Sequence, residues 1–142
     1  MNNRMYLKIK ALPENVGFIR NVIAAFCVPA DPSIETLNDI KTAISEAVTN
    51  AVVHGYKRSE GDVAIETELI DTKLYIKISD SGAGIENVEK AMEDFFTTDV
   101  EEERSGLGFT IMRTYMDTLK VESKVGAGTT VYMTKELLHV DR

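Results

Sequence analysis

Between the PADPS break at 29–33 and Gly55 the chain carries neither proline nor glycine, and Leu37, Ile40, Ile44, Ala47 and Ala51 recur at helical spacing. That pattern predicts one long amphipathic helix starting near Ser33 and stopping at Gly55. Directly after it come GDVAIETELI (61–70) and KLYIKISD (73–80), two strand-like runs joined by a short turn near Asp71 and Thr72. So short a join makes an antiparallel hairpin. A helix with a single apolar stripe beside such a hairpin has to bury that stripe on the sheet. The expected fold class is therefore α+β, a two-layer α/β sandwich with a mixed, mainly antiparallel sheet and helices on one face.

The flanking segments fit this layout. RMYLKIKA (4–11) alternates as a strand. Pro13 suits the first turn of a helix, along which Val16, Ile19, Ile23 and Phe26 recur with Arg20 off their stripe. A short helix is expected at 87–94, an irregular acidic stretch at 95–105, and a helix over 106–118. LKVESK and TTVYMTKEL flank VGAG as a closing hairpin. Without repeats, low-complexity segments or a linker, residues 1–142 read as a single domain.

Composition excludes several function classes. The chain has 142 residues, 44% hydrophobic and 27% charged, with a net charge of −7. It has no basic stripe interleaved with aromatics, so direct nucleic-acid binding is not expected. No run approaches the ~18 apolar residues of a membrane span, and the N-terminus lacks a signal-peptide pattern. The lone Cys27 sits in VIAAFCV, which points to a buried structural thiol, no disulfide framework and a cytoplasmic location.

Four short patterns carry chemistry. On the long helix, Glu46 and Asn50 project beside each other on the flank of the apolar stripe, roughly 40° apart at about 100° per residue. Alone, such a pair is equally a solvated flank. Its chemical reading is a carboxamide oxygen for Mg²⁺, which takes hard oxygen ligands, with a carboxylate one turn away to accept a proton. Asp80-Ser81-Gly82-Ala83-Gly84 ends a strand. Asp80 can accept from an exocyclic amine, and the glycines let a flat ring approach the backbone, although a plain strand-to-loop turn has the same look. Ser105-Gly106-Leu107-Gly108 opens the expected helix at 106. A helix N-terminus offers free N–H groups to phosphate. Gly126-Ala127-Gly128-Thr129-Thr130 lies in the last hairpin, a turn with hydroxyls to spare.

In this order and spacing the four patterns resemble the GHKL ATPase and kinase superfamily over nearly the whole chain, and within it the small serine-kinase anti-sigma factors, the sporulation branch above all. The resemblance implies the Bergerat ATP-binding sandwich, with ATP or ADP and Mg²⁺ as cofactors. It implies Glu46 as general base and Asn50 as metal ligand. It places Asp80 on the adenine amine, Gly82, Gly84 and Thr130 around the base, and Ser105, Gly106, Leu107 and Gly108 at the phosphates. A lid runs from about Ile85 to Ser105. Arg104 is the candidate for γ-phosphate contact, a salt bridge to Glu101–Glu103 being the plainer alternative. Arg20 is a candidate contact for a protein partner.

Length sorts the superfamily members. The sandwich uses the whole chain, so neither a phosphoacceptor hairpin nor a transducer domain is expected, and His54 reads as structural. The implied partners are a sigma factor of the sigma F type and an anti-anti-sigma factor whose serine accepts phosphate, with the chain acting as a homodimer. The N-terminal strand MYLKIKA is expected at a sheet edge, and such an edge can pair between subunits. A nucleotide-gated binding module without kinase activity, an ATPase acting on water, and the equivalent kinase of a stress-response switch stay open.

Overall fold

A computed structural model of the chain describes residues 2–57, 59–93 and 100–138, with the backbone alone over 100–107. The elements follow in the order β1 (Asn2–Lys10), α1 (Pro13–Cys27), α2 (Ile34–Asn50), β2 (Asp62–Ile70), β3 (Lys73–Asp80), α3 (Val88–Ala91), α4 (Val100–Tyr115), β4 (Thr118–Lys124) and β5 (Gly128–Glu136). The strands form one sheet in the order β1-β2-β3-β5-β4, and every pairing is antiparallel. β1 and β4 are thus the edges.

Local chemistry sets the boundaries. Pro13 occupies the first turn of α1, where its missing N–H costs nothing. Ser33 caps α2, its hydroxyl accepting from the Thr36 N–H at 3.1 Å and satisfying one of the free donors at the helix start. Asp71 takes a φ of 54° in the β2–β3 turn, a conformation that aspartate tolerates better than most residues. Asn87 caps α3 by accepting from the Lys90 N–H at 3.0 Å.

The core lies between the helices and one face of the sheet. In β2, Val63, Ile65, Thr67 and Leu69 are buried, while Asp62, Glu66 and Ile70 are exposed. Ile19 and Ile23 of α1, Ile40, Ile44 and Val48 of α2, and Phe109 and Met112 of α4 pack over that face. The opposite face carries Tyr6 and Tyr75, both exposed, and the Lys77–Glu66 ion pair at 3.4 Å.

Three boundaries differ from expectation. The long helix stops being regular at Asn50 and continues as a wider π turn, Ala51–Gly55, in which the Tyr56 N–H reaches the Ala51 carbonyl at 2.9 Å. α4 begins at Val100, not at Gly106, so Ser105–Gly108 lie inside the helix rather than at its entry. Positions 101–103 fall in its opening turns. α4 also ends at Tyr115, because Thr118 already opens β4.

Candidate active site

The π turn is what brings α2 to the end of the sheet. Turns of this kind redirect a helix at functional positions. Here the turn aims the Gly55 carbonyl at the loop after β3, where it accepts from the Ala83 N–H at 2.7 Å. The approach leaves no room for side chains. A β-carbon on Gly82 would lie 2.2 Å from the Gly55 carbonyl oxygen, and one on Gly55 would lie 2.9 Å from the Asp80 carboxylate. Gly84 turns with φ +77° against the Lys124 carbonyl, as the loop crosses to the β4–β5 hairpin.

The Asp80 loop is anchored by hydroxyls at both ends. The Tyr56 hydroxyl accepts from the Ser81 N–H at 2.8 Å and donates to the Asp62 carbonyl at 2.6 Å. Ser123 accepts from the Ile85 N–H at 2.8 Å. Neither anchor was expected from the sequence. Tyr56 left no signal beyond following Gly55.

A cleft opens between α2, α4 and the sheet end, lined by Asn50, His54, Asp80, Gly84, Phe109 and Thr129 among others. Burial raises the Asp80 pKa above its ordinary 3.8, and backbone N–H groups of Gly82 and Thr129 partly offset this by favouring the carboxylate. The Gly82 N–H lies 2.9 Å from Oδ1. The cleft holds about 30 Å³, room for a water or two.

The Glu46–Asn50 pair meets α4. A β-carbon on Gly108 would lie 3.2 Å from Glu46 Oε2 and 3.3 Å from both Nδ2 and Oδ1 of Asn50. Both polar atoms of the Asn50 side chain are buried and have no hydrogen-bond partner among the described residues. A buried amide left so costs about 1–3 kcal/mol. An oxygen kept in that state suits a hard cation that completes its shell with water and phosphate oxygens. No cluster of three His, Cys, Asp or Glu gathers among the described residues.

The structure thus brings Asn50, Asp80 and Gly84 to one cleft, with Glu46 and Gly108 meeting beside Asn50. His54, expected to be structural, lines it too. Thr130 is not in it. Strand alternation turns Thr130 to the far face of the sheet, where its hydroxyl lies 3.3 Å from that of Ser79, and Thr129 lines the cleft instead. The apolar pair Val131 and Met133 in TTVYMT fixes that phase and was the signal to read. The backbone N–H groups of Gly106 and Gly108 lie within α4 rather than at a free helix start. The side chains of Arg104, Ser105 and Leu107 and part of the expected lid, 94–99, lie outside the described residues, as does His139. Arg20 is exposed on α1, off the buried stripe.

Comparison with known proteins agrees with this geometry. The profile of the histidine kinase-like ATPase domain family matches residues 9–135. The chain is 52% identical over 134 residues to an anti-sigma F factor of Caldanaerobacter subterraneus subsp. tengcongensis, covering 94% of each. It is 45% identical over 141 residues to one of Clostridium acetobutylicum, covering 99% of each. A crystal structure of the RsbU and RsbW domains from Mycobacterium tuberculosis shares the fold, with a TM-score of 0.71 at 20% identity, and this chain spans 34% of it. Among the described residues no helix is long and apolar enough to cross a membrane. By fold, by cleft and by similarity along nearly its whole length, the chain belongs to the anti-sigma F factors, within the histidine kinase-like ATPase domain family.

Proposed function

We propose that this chain is an ATP-dependent protein serine kinase that also holds a sporulation sigma factor, of the sigma F type, away from RNA polymerase, and that its phosphate acceptor is a serine of an anti-anti-sigma protein. The buried, unpartnered Asn50 carboxamide beside Glu46, closed over by Gly108, carries the reading. Similarity to the anti-sigma F factors supports the sigma-factor client.

In this mechanism the Asp80 carboxylate accepts from the adenine amine, and Thr129 stands beside it. A bound Mg²⁺ would supply charge neutralisation for the transferring group. Asn50 would hold it through its side-chain oxygen. Glu46 takes the proton of the acceptor serine as its oxygen bonds to the γ-phosphorus and the bond to the bridging oxygen breaks, leaving ADP and phosphoserine. Gly106 and Gly108 allow α4 to lie close over the phosphates, and Arg104, four positions before Gly108 on α4, is assigned to the γ-phosphate.

Arg20, exposed on α1, is the proposed protein contact. The free edge of β1 is the proposed dimer seam, since an unpaired strand edge readily pairs with another chain. Incubation with Mg·ATP, a purified sporulation sigma factor and its antagonist tests the whole reading. Sigma factor co-eluting with the chain and phosphate on an antagonist serine are expected. Neither appearing, with ATP still bound, would overturn it.

A further inference from the structure

Asp80, Thr129 and Ser123 form one row across β3, β5 and β4, since Asp80 pairs with Thr129 and Thr129 with Ser123. Asp80 and Thr129 face the cleft. Ser123 lies one strand further out, partly buried, and its Oγ has three neighbours. The Ile85 N–H donates to it at 2.8 Å, the Gly128 carbonyl lies at 3.0 Å, and Thr129 Oγ1 lies at 2.8 Å.

A hydroxyl has one proton and two lone pairs. The Ile85 N–H uses one lone pair, and all three contacts are hydrogen bonds at once in one arrangement only: the Ser123 proton goes to the Gly128 carbonyl, which cannot donate, and Thr129 donates its own proton to Ser123. That turns Thr129 Oγ1 toward the cleft as an acceptor only, next to an Asp80 carboxylate that also only accepts. Two acceptors side by side welcome an amino group and repel a carbonyl. Adenine presents an amine at its six position, where guanine and hypoxanthine present an oxygen.

Building on the nucleotide reading above, we propose that Ser123 is a specificity-positioning residue: by fixing the Thr129 proton outward from the cleft, it makes the base site reject six-keto purines. Ser123 does not touch the base and acts through Thr129. Removing its hydroxyl frees the Thr129 proton to turn toward the cleft and greet a carbonyl.

Calorimetric titration with Mg·ATP and Mg·inosine triphosphate, which differ at the six position, tests this on the full chain. Wild type is expected to prefer ATP. Ser123→Ala is expected to lower the ATP-to-inosine triphosphate affinity ratio about tenfold, the scale of one hydrogen bond reversed. Ser123→Thr, which keeps the hydroxyl on a β-branched residue suited to a strand, is expected to restore the ratio. Equal weakening for both nucleotides in Ser123→Ala, or an unchanged ratio, would overturn the proposal while leaving the nucleotide site in place. Wild type binding both equally would also overturn it. Wild type binding neither would instead overturn the nucleotide reading on which it stands.

Discussion

Gly108 of α4 sits against Asn50 of α2 so closely that a single added carbon would come within 3.3 Å of both polar atoms of the carboxamide. A glycine inside a helix costs about 1 kcal/mol relative to alanine. Its presence here is explained by that contact. Gly108→Ala should therefore leave thermal stability within about 1 kcal/mol of wild type, because the propensity gain offsets the crowding. It should weaken Mg·ATP binding about tenfold by lifting α4 from Asn50. Unchanged affinity, measured by calorimetry, would contradict the contact.

Asn50→Ala separates stability from function in the same way. It removes two buried polar atoms that have no hydrogen-bond partner among the described residues, a liability in the free protein. Chemical denaturation should show the variant as stable as wild type or more so. Magnesium should no longer strengthen nucleotide binding. A loss of stability above about 2 kcal/mol would show instead that the carboxamide has a structural partner.

Asp80 makes a pH prediction. Burial raises its pKa in the folded protein above the ordinary 3.8. Between those two values the folded state binds more protons than the unfolded state, so this group's contribution falls as pH rises through the window and stays unfavourable above it. Asp80→Asn removes the effect. The melting temperature of the variant relative to wild type should rise as pH goes from below 3.8 to neutrality, while nucleotide binding is lost. A pH-independent difference would contradict the burial argument.

Gly84 and Gly128 hold the loop where no other residue fits. Gly84 has φ +77° with the Lys124 carbonyl 2.1 Å from a built β-carbon, and Gly128 has φ +99° with the Asp80 carbonyl at 2.0 Å. Alanine at either position should cost about 2 kcal/mol or more in urea denaturation, since positive φ and collision with backbone act together. Gly126, at φ +80° with open space around it, should cost less. Equal costs at all three would contradict this ranking.

Burial pushes the Cys27 thiol up to about 12, so almost no thiolate exists at neutral pH. Alkylation of the native protein should be slow and should accelerate with denaturant in step with unfolding. Fast labelling of the native protein would contradict burial in the core.

Much of this was legible because the signals are local. Ser33 announces the start of α2, Asp71 and Thr72 the β2–β3 hairpin, and the Glu46–Asn50 spacing one helical face. What stayed hidden depends on tertiary packing. The π turn at Ala51–Gly55 leaves no mark in AVVHG, because the Gly55 carbonyl in it accepts from Ala83, far along the chain. α4 starts ahead of its glycines, and Gly108 lies inside it against Glu46 and Asn50. Thr129 rather than Thr130 lines the cleft because the alternation with buried Val131 and Met133 sets the phase. The anchors Tyr56 and Ser123 have no motif of their own.

The most direct test of the account places Glu46→Gln beside wild type with labelled Mg·ATP and a sporulation anti-anti-sigma protein. Glutamine keeps the shape of Glu46 and removes its capacity to take a proton. The account predicts label on the partner's serine with wild type, and loss of transfer in the variant while nucleotide binding persists. Transfer at the wild-type rate by Glu46→Gln would contradict it.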